Sequence, residues 1–386
     1  MMLQTHNNRS FVSASDGSGE ELTPSDKNGH PLAVLLVGYM HGSGGIQNHT
    51  HWFATGLAED GHEVHVATPA PMHGDTDELP TTELYSVQRA YSLFSLANLR
   101  PQTKSHFDTA IVAGTGWKAM LGVALNRRIR KRIFFEVMSG DRDRLCDPRI
   151  LASYRFDMIV GQATPVTHRF CQEFNWDGRV DTVPALPEPL ERTAEVGKPR
   201  HRNAGQQRLK ACYFGRLAAH KGVEWMLDKW SDLEQYVQSL DIHGIGPEES
   251  RIRQKINEMG AADSIRMHGR YPTGQAYVDL LKSYDVMLLP TVGQEGAPLV
   301  LLEAMACGLP FIANGVGGIS DYSNPNCEVT SGDITEFAGK LGGFHSRWVR
   351  EEISGIAIQE FYFDHFSSQA LTERWVSCIR QASGRR

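Results

Sequence analysis

The sequence predicts an α/β protein of two domains, each built on a parallel sheet. Three observations lead to this prediction. Short apolar runs, typical of strands buried on both faces, alternate with helical segments along the chain. The alternation is interrupted between Pro184 and about Arg208, where Pro, Glu, Arg and Gln dominate, and it then resumes. Finally, 386 residues are many for a single hydrophobic core and enough for two.

The first domain is expected to open with a strand–turn–helix–strand unit. Its first strand is the apolar run PLAVLLVGYM, which begins at Pro31. A Gly-rich turn then leads into a helix over residues 46–59, and a strand follows over residues 63–68. Further strands are predicted at residues 109–114, 132–138, 157–162 and 179–184.

The second domain is expected to repeat the alternation of strands and helices. Its strands are predicted within LKACYFGR, LDIHG, SIRMHG, DVMLLP and FIAN. A buried helix is predicted from about Pro298 to Cys307. Proline suits the first position of a helix, and Gly308 followed by Pro310 suits its end.

The predicted organisation has five parts. Residues 1–30 are polar and lack the apolar core of a signal peptide, so we expect a disordered leader. The first domain is expected over residues 31–190, a linker over 191–208 and the second domain over 209–365. The remaining residues, 366–386, form a predicted amphipathic helix whose apolar face carries Phe366, Leu371, Trp375 and Ile379.

Composition excludes several classes of protein. A net charge of -6 leaves no excess of cations to neutralise a nucleic-acid backbone, so we expect no nucleic-acid partner. The six cysteines show no C-x-x-C spacing, which favours reduced thiols in a cytoplasmic protein. No apolar run reaches the roughly 18 residues of a membrane span. The basic run RRIRKR at residues 127–132 leaves open a peripheral contact with the inner face of a membrane.

The residues that directly follow strands indicate which ligand is bound, because ligands of open α/β sheets bind at the carboxyl ends of the strands. Gly44 and Gly45 follow the first strand and open a helix. Such glycines let the backbone approach an anion at the helix N-terminus, although a tight turn without function would use the same residues. Arg216 and Lys221 follow the strand that ends in YFG. They either clamp a pyrophosphate or are solvated surface cations.

Two glutamates surround the start of the predicted helix at Pro298. Glu295 lies in the preceding loop, and Glu303 lies within the apolar helix itself. A carboxylate is costly to bury without a partner. Either a neighbouring N–H or Arg satisfies Glu303, or a bound ligand does.

These motifs resemble a known family. In the second domain the resemblance rests on GRLAAHKGVEWML, IHGIGPEE, MHGRYP and YDVMLLPTVGQEGAPLVLLEAMACGLPFIANGVGGISDY, which resemble the donor half of a GT-B glycosyltransferase. More narrowly, they resemble the large retaining family 4, glycosyltransferase group 1. HGSGGIQNHTHWFATGLAEDGHEV resembles the start of the acceptor domain in the same family. The resemblance covers residues 33–68 and 209–325.

The resemblance implies two Rossmann-like domains facing across a cleft, and a hexosyltransferase that acts with retention and without a metal or cofactor. The donor would be a nucleotide sugar, with UDP favoured and GDP as the alternative. The acceptor would be a polysaccharide, a glycolipid or a small molecule. In this fold the last helix crosses back to the first domain; an ordinary closing helix of the second domain is the alternative.

The resemblance also implies roles for individual residues. Glu303 would accept hydrogen bonds from the ribose hydroxyls, Glu295 would contact the donor sugar, and Arg216 and Lys221 would neutralise the leaving diphosphate. Backbone N–H groups between residues 296 and 299 would bind the phosphates. The full set implied for the nucleotide site, beside Glu303, is Gly44, Gly45, Gly215, Arg270, Gly296, Ala297, Pro298 and Leu299.

One departure from the family pattern concerns the first domain. Members of the family often carry a His at the end of a first-domain strand, but the matching stretch here, FFEVMSGDRDR, has Ser139 at that place. Asp141 or His41 is the candidate substitute for contact with the sugar or acceptor. Asp141 and Asp143 could hold Mg²⁺ with a substrate phosphate, although a solvated loop is the simpler interpretation. His49 and His51 lie two apart on a helix, so they point to different faces and are expected to pack rather than chelate.

Two rival functions remain open at this point. One is another GT-B enzyme, such as a sugar-nucleotide epimerase or a phosphorylase. The other is a non-catalytic protein that binds a sugar nucleotide, suggested by the missing His. A fold alone does not separate these functions.

Overall fold

The structure is a computed structural model that describes residues 30–41, 45–69, 79, 82–90, 92–114, 116–137, 146–200, 205–293 and 295–383. The chain divides into a unit before Leu32 and a compact unit from Leu32 onward, to which all the elements below belong. The predicted leader lies outside the described residues apart from His30.

Among the described residues, seven parallel strands form the first sheet, in the order β3-β2-β1-β4-β5-β6-β7. The strands are β1 (Ala33–Val37), β2 (Glu63–Thr68), β3 (Ser86–Arg89), β4 (Phe107–Ala113), β5 (Ile129–Glu136), β6 (Met158–Gly161) and β7 (Arg179–Thr182). The helices of this part of the chain are α1 (Gly45–Glu59), α2 (Leu93–Asn98), α3 (Trp117–Leu125), α4 (Ile150–Arg155), α5 (Thr164–Phe174) and α6 (Leu190–Thr193).

The second sheet has six parallel strands within the described ranges, in the order β10-β9-β8-β11-β12-β13. They are β8 (Leu209–Phe214), β9 (Val237–His243), β10 (Ile265–Gly269), β11 (Val286–Leu289), β12 (Phe311–Asn314) and β13 (Glu328–Thr330). The helices that follow are α7 (Val223–Leu227), α8 (Trp230–Leu233), α9 (Glu249–Glu258), α10 (Gly274–Leu281), α11 (Leu299–Ala306), α12 (Ile334–Val349), α13 (Gly355–His365) and α14 (Ser368–Ser383). In this described part of the chain, 3₁₀ turns lie at Ala219–Lys221 and Gly317–Tyr322.

The predicted fold class, two α/β domains with parallel sheets, is confirmed. Strand β3 was not predicted, because SVQR lies at the sheet edge, half exposed, and carries no apolar run. The predicted start of β5 at residue 132 is wrong, since the strand begins at Ile129. Part of the basic run RRIRKR therefore lies inside a strand rather than before one.

The stretch predicted as a linker is fixed to the second domain. It begins with α6, and Val196 further along is buried. Gln275 accepts a hydrogen bond of 2.8 Å from the Glu195 N–H, and Lys282 donates one of 2.7 Å to the Val196 carbonyl. The polar composition that predicted a linker thus belongs, around Glu195 and Val196, to a segment that bonds to the second domain.

The last helix belongs to the core of the first domain. Trp375 of α14 is fully buried, with ring centroids 4.7 Å from Phe53 of α1 and 5.0 Å from Phe135 of β5. Of the two alternatives, the structure therefore has the helix that crosses back. Phe366 was predicted on the same apolar face, but the helix begins at Ser368. Phe366 instead ends α13 and packs against Tyr322 of the second domain, at 5.3 Å between centroids.

We predict that Trp375→Ala destabilises the protein by about 3–5 kcal/mol, the range for removing a fully buried large aromatic side chain. Urea unfolding followed by circular dichroism measures the change in the free energy of unfolding. Phe94→Ala is the control, because Phe94 is 75% exposed, and its effect should stay within about 0.5 kcal/mol. Equal losses in the two variants would contradict the role given to α14.

Candidate functional site

The candidate site lies at the carboxyl ends of the second sheet, where the chain leaves β8 and β11. The loop after β11 is tied to the 3₁₀ turn after β8, since the N–H groups of Val292 and Gly293 donate to the His220 carbonyl at 2.9 and 3.0 Å. This connection brings Lys221 beside Glu295, and the two side chains form an ion pair. The pair is sheltered, with 18% of the Lys221 side chain and 13% of the Glu295 side chain exposed.

The N-terminus of α11 brings backbone N–H groups to this cluster. The helix begins at Leu299, one residue later than predicted, and Pro298 is its N-cap. The first N–H groups of a helix have no acceptor within the helix, so they suit an anion. The expectation that residues 296–299 all donate N–H groups needs one correction, because Pro298 has no N–H to donate.

Glu303 lies inside α11 and is buried, with 7% of its surface exposed. Its partner is neither a backbone N–H nor an Arg: the Tyr277 hydroxyl donates to Oε2 at 2.8 Å. Burial raises the pKa of the carboxyl to about 7, against the lowering effect of the Tyr277 hydrogen bond, and nearby Glu188 raises it further. Near neutral pH the site therefore holds a carboxyl group that can exist in either protonation state.

An aromatic wall extends from Glu303 and was missed in the sequence. Tyr271 stacks on Tyr277 at 5.1 Å, and Phe214 at the end of β8 meets both tyrosine rings edge-on, at 5.2 and 5.5 Å. His243 stacks on Phe214 at 4.6 Å. The signal for this wall is the aromatic residues of the strand end YFG and of the motif MHGRYP.

The first domain reaches the same place through the start of α1. A Cβ atom added at Gly45 would lie 3.3 Å from Leu299 Cδ1, so the two helix N-termini approach each other. Nearby, Gln47 donates to the carbonyl of the buried His41 at 2.9 Å. Gly296 packs even more closely against the first domain, because a Cβ there would lie 1.7 Å from Gln162 Nε2.

The structure says less about the other predicted site residues. Arg216 and Arg270 are exposed, and Gly215 precedes Arg216 at the end of β8. Gly44, Ser139 and Asp141 lie outside the described residues. Their predicted roles therefore stay predictions.

The two histidines of α1 pack as expected. The His49 Nδ1 atom accepts a hydrogen bond of 3.1 Å from the Leu186 N–H, and its ring lies 4.7 Å from that of Phe135. Burial lowers the pKa of His49 to about 3. His51 instead bonds the Tyr85 hydroxyl at 2.7 Å.

The basic run is partly neutralised by its neighbours. Arg130 pairs with Asp108 and Lys131 with Asp157, both at 3.1 Å, and Arg132 donates to the Asn126 carbonyl at 2.8 Å. In the part of the chain that the structure describes, no helix combines the length and apolar character needed to cross a bilayer.

The chain is similar to several known proteins. Residues 208–345 match the family model of glycosyl transferases group 1. WcaL from Salmonella typhimurium, named as a glycosyltransferase of colanic acid biosynthesis, is 26% identical over 222 residues, which are 53% of this chain and 54% of WcaL. The chain thus spans about half the length of this curated relative.

Two solved structures are similar over most of the chain. HepE from Anabaena, in complex with UDP, has a TM-score of 0.68 at 13% identity and covers 91% of this chain and 100% of its own. Sucrose-phosphate synthase from Thermosynechococcus elongatus has a TM-score of 0.69 at 17% identity, over 91% of this chain and 98% of its own. At these identities the likeness shows the fold.

The raised pKa of Glu303 predicts a pH dependence of stability. Between its ordinary pKa of 4.5 and about 7, the unfolded chain ionises Glu303 while the folded chain keeps it protonated. The folded state binds more protons in this window, so stability falls as pH rises, by about 3 kcal/mol in all. We expect Glu303→Gln, which keeps an oxygen for Tyr277, to lack this loss.

Urea unfolding of both proteins at several pH values from 4 to 8.5 measures the difference. Glu360→Gln is the control, since Glu360 lies exposed on α13, and it should follow the wild type at every pH. If Glu303→Gln also ran parallel to the wild type, Glu303 would not titrate in this range.

Proposed function

We propose that this chain, which carries a group 1 glycosyltransferase domain on a GT-B fold, transfers a sugar from a nucleoside-diphosphate donor to an acceptor. The observation that carries the proposal is the Lys221–Glu295 ion pair at the N-terminus of α11, with the buried Glu303 further along the same helix. A cation, a helix N-terminus and two carboxylates supply what the phosphates and the hydroxyls of such a donor need.

The leaving diphosphate would bind between Lys221 and the first N–H groups of α11. Breaking a glycosyl–phosphate bond develops negative charge on the diphosphate and positive charge on the sugar. Preorganised donors and cations stabilise the first of these charges without reorganising during the reaction. Arg216 is exposed at the end of β8 and would add a second positive charge from the solvent side.

Glu295 would bind the sugar that is transferred. Its carboxylate accepts hydrogen bonds from sugar hydroxyls, and its negative charge lies where the sugar becomes cationic. Lys221 holds one oxygen of this carboxylate and fixes its direction. Catalysis would therefore depend on the pair, because a change of either residue also releases the other.

Glu303 would bind the ribose of the nucleotide. Tyr277 occupies Oε2, and ribose hydroxyls would donate to the carboxylate as further partners. These bonds favour the ionised form, so nucleotide binding would lower the pKa of Glu303 from about 7. The partly exposed ring of Tyr271 lies beside it and could contact a planar base.

The nucleotide, the stereochemistry and the kind of sugar are proposed from the family resemblance and from a solved structure of similar fold. We propose UDP as the nucleotide, which the UDP complex of HepE supports for a chain of similar fold. Retention of the anomeric configuration and transfer of a hexose without metal or cofactor are proposed from the family motifs.

The acceptor would bind in the first domain, at the carboxyl ends of its strands. A cavity of about 410 Å³ lies there, lined by apolar residues that include Val37, Ala67 and Leu96. The Trp117 indole N–H donates to the Cys146 carbonyl at 3.1 Å, which fixes the ring beside the cavity, and Lys118 adds a charge. Sugar hydroxyls buried in such a lining would lack partners, so the cavity suits the apolar part of an acceptor such as a glycolipid.

The first test of the proposed function is a thermal-shift panel of UDP, GDP and ADP. A nucleotide at about a hundred times its dissociation constant stabilises the fold by roughly 2.7 kcal/mol. We expect UDP to raise the unfolding midpoint of the wild type, and Glu303→Ala to remove the effect. Glu360→Ala should retain it. If none of the nucleotides shifts the folded wild type, the proposed function is wrong.

The second test separates an enzyme from a binding protein. With the sugar conjugate of the stabilising nucleotide, we expect slow release of nucleoside diphosphate, and Lys221→Ala should lower that rate by about 10²–10³-fold. Lys229→Ala removes an exposed cation of the same domain and should leave the rate unchanged. Binding without release would indicate the non-catalytic protein, and turnover that requires inorganic phosphate would indicate a phosphorylase.

A further inference from the structure

One polar contact joins the two domains beside the candidate site. The Asp321 Oδ2 atom, in the 3₁₀ turn Gly317–Tyr322 of the second domain, accepts a hydrogen bond of 2.6 Å from the Thr164 N–H. Thr164 opens α5 of the first domain, and the partners are 157 residues apart in the chain.

Asp321 caps a helix that lacks a cap of its own. The N-cap residue of α5 is Ala163, and its methyl group accepts no hydrogen bond. An acidic side chain at a helix N-terminus satisfies a free N–H and also interacts favourably with the positive end of the helix dipole. Helix α12 shows the ordinary arrangement, because Asp333 of the same domain accepts from Thr335 and Glu336 at 2.8 and 3.0 Å.

The loop that carries Glu295 lies between this turn and the first domain. The Gly318 N–H donates to the Gly296 carbonyl at 2.6 Å. A Cβ at Gly318 would lie 2.4 Å from the Ala163 Cβ, and a Cβ at Gly296 would lie 2.4 Å from the Val137 carbonyl oxygen. The turn, the loop and the first domain therefore meet with no room for a further carbon atom.

We propose that Asp321 is a positioning residue that holds the two domains at the separation in which Glu295 meets the transferred sugar. The inference rests on the proposed function. Asp321 acts through α5 and the packed loop, and Glu303 forms no part of this contact. Loss of the Asp321 contact should therefore reduce turnover and leave nucleotide affinity intact.

The test compares Asp321→Ala and Asp321→Asn with Asp333→Ala. The control variant removes a cap of the same chemistry within one domain. We expect Asp321→Ala to lower kcat for donor turnover by about ten- to a hundredfold, as small misplacements of reacting groups do, with the dissociation constant for UDP unchanged within about twofold. Asp321→Asn keeps an oxygen that accepts from Thr164, so it should recover part of the activity. Asp333→Ala should keep the wild-type kcat.

Small-angle X-ray scattering supplies a readout that needs no activity. The radius of gyration with UDP present should rise in Asp321→Ala and stay at the wild-type value in Asp333→Ala. If no protein, wild type included, turns over a donor but Asp321→Ala still expands, the proposed function fails and the domain contact stands. An Asp321→Ala protein with the wild-type kcat and radius would overturn the inference, as would an equal loss of kcat in Asp333→Ala.

A second substitution tests the same contact if Asp321→Ala fails to fold. Gly318→Ala keeps Asp321 but places a carbon 2.4 Å from the Ala163 Cβ and 2.5 Å from the Gly296 carbonyl oxygen, so it should also lower kcat, and the push against Ala163 should enlarge the radius. Gly339→Ala is its control, because a Cβ at Gly339 meets no atom within 4 Å. Wild-type behaviour of a folded Gly318→Ala protein would count against the inference.

Discussion

The burial of Glu303 on an apolar helix is the constraint on which the rest of the second domain's site depends. A carboxyl group in such a place needs a partner, and the Tyr277 hydroxyl supplies it at 2.8 Å. That bond fixes the Tyr277 ring, on which Tyr271 stacks and against which Phe214 packs. The buried Glu303 thus positions the aromatic wall, which extends from α11 back to the end of β8.

The sequence predicts the parts of the fold that depend on local pattern. The apolar run of β1, the Gly-rich turn before α1 and the Pro and Gly that bound α11 all signal their elements over a few residues. Glu295, Glu303 and Lys221 could be singled out because a charge beside an apolar run is unusual. The edge strand β3 carries no such run, and Ile129 sits among cations whose partners are distant in sequence, Asp108 in β4 and Asp157 just before β6.

Contacts between distant segments explain what the sequence did not predict. Neither the Tyr277 partner of Glu303 nor the cap that Asp321 gives to α5 follows from spacing, because each joins residues from separate elements. Ala163 at the N-cap of α5 is a weak signal of such a contact. The first N–H groups of a helix that lacks a capping side chain often bond to an acceptor from another part of the chain. For Gly44, Ser139 and Asp141 the sequence remains the source of their expected roles.

The return of α14 to the first domain has a consequence for how the chain reaches its native state. During synthesis the strands of the first sheet emerge early, but the face that receives Trp375 waits until residues 368–383 have left the ribosome, on the order of tens of seconds later. Until then Phe53 and Phe135 lack their covering helix. The first domain is therefore synthesised first but completed last. While the second domain is being synthesised, the nascent chain exposes an apolar surface to which chaperones can bind.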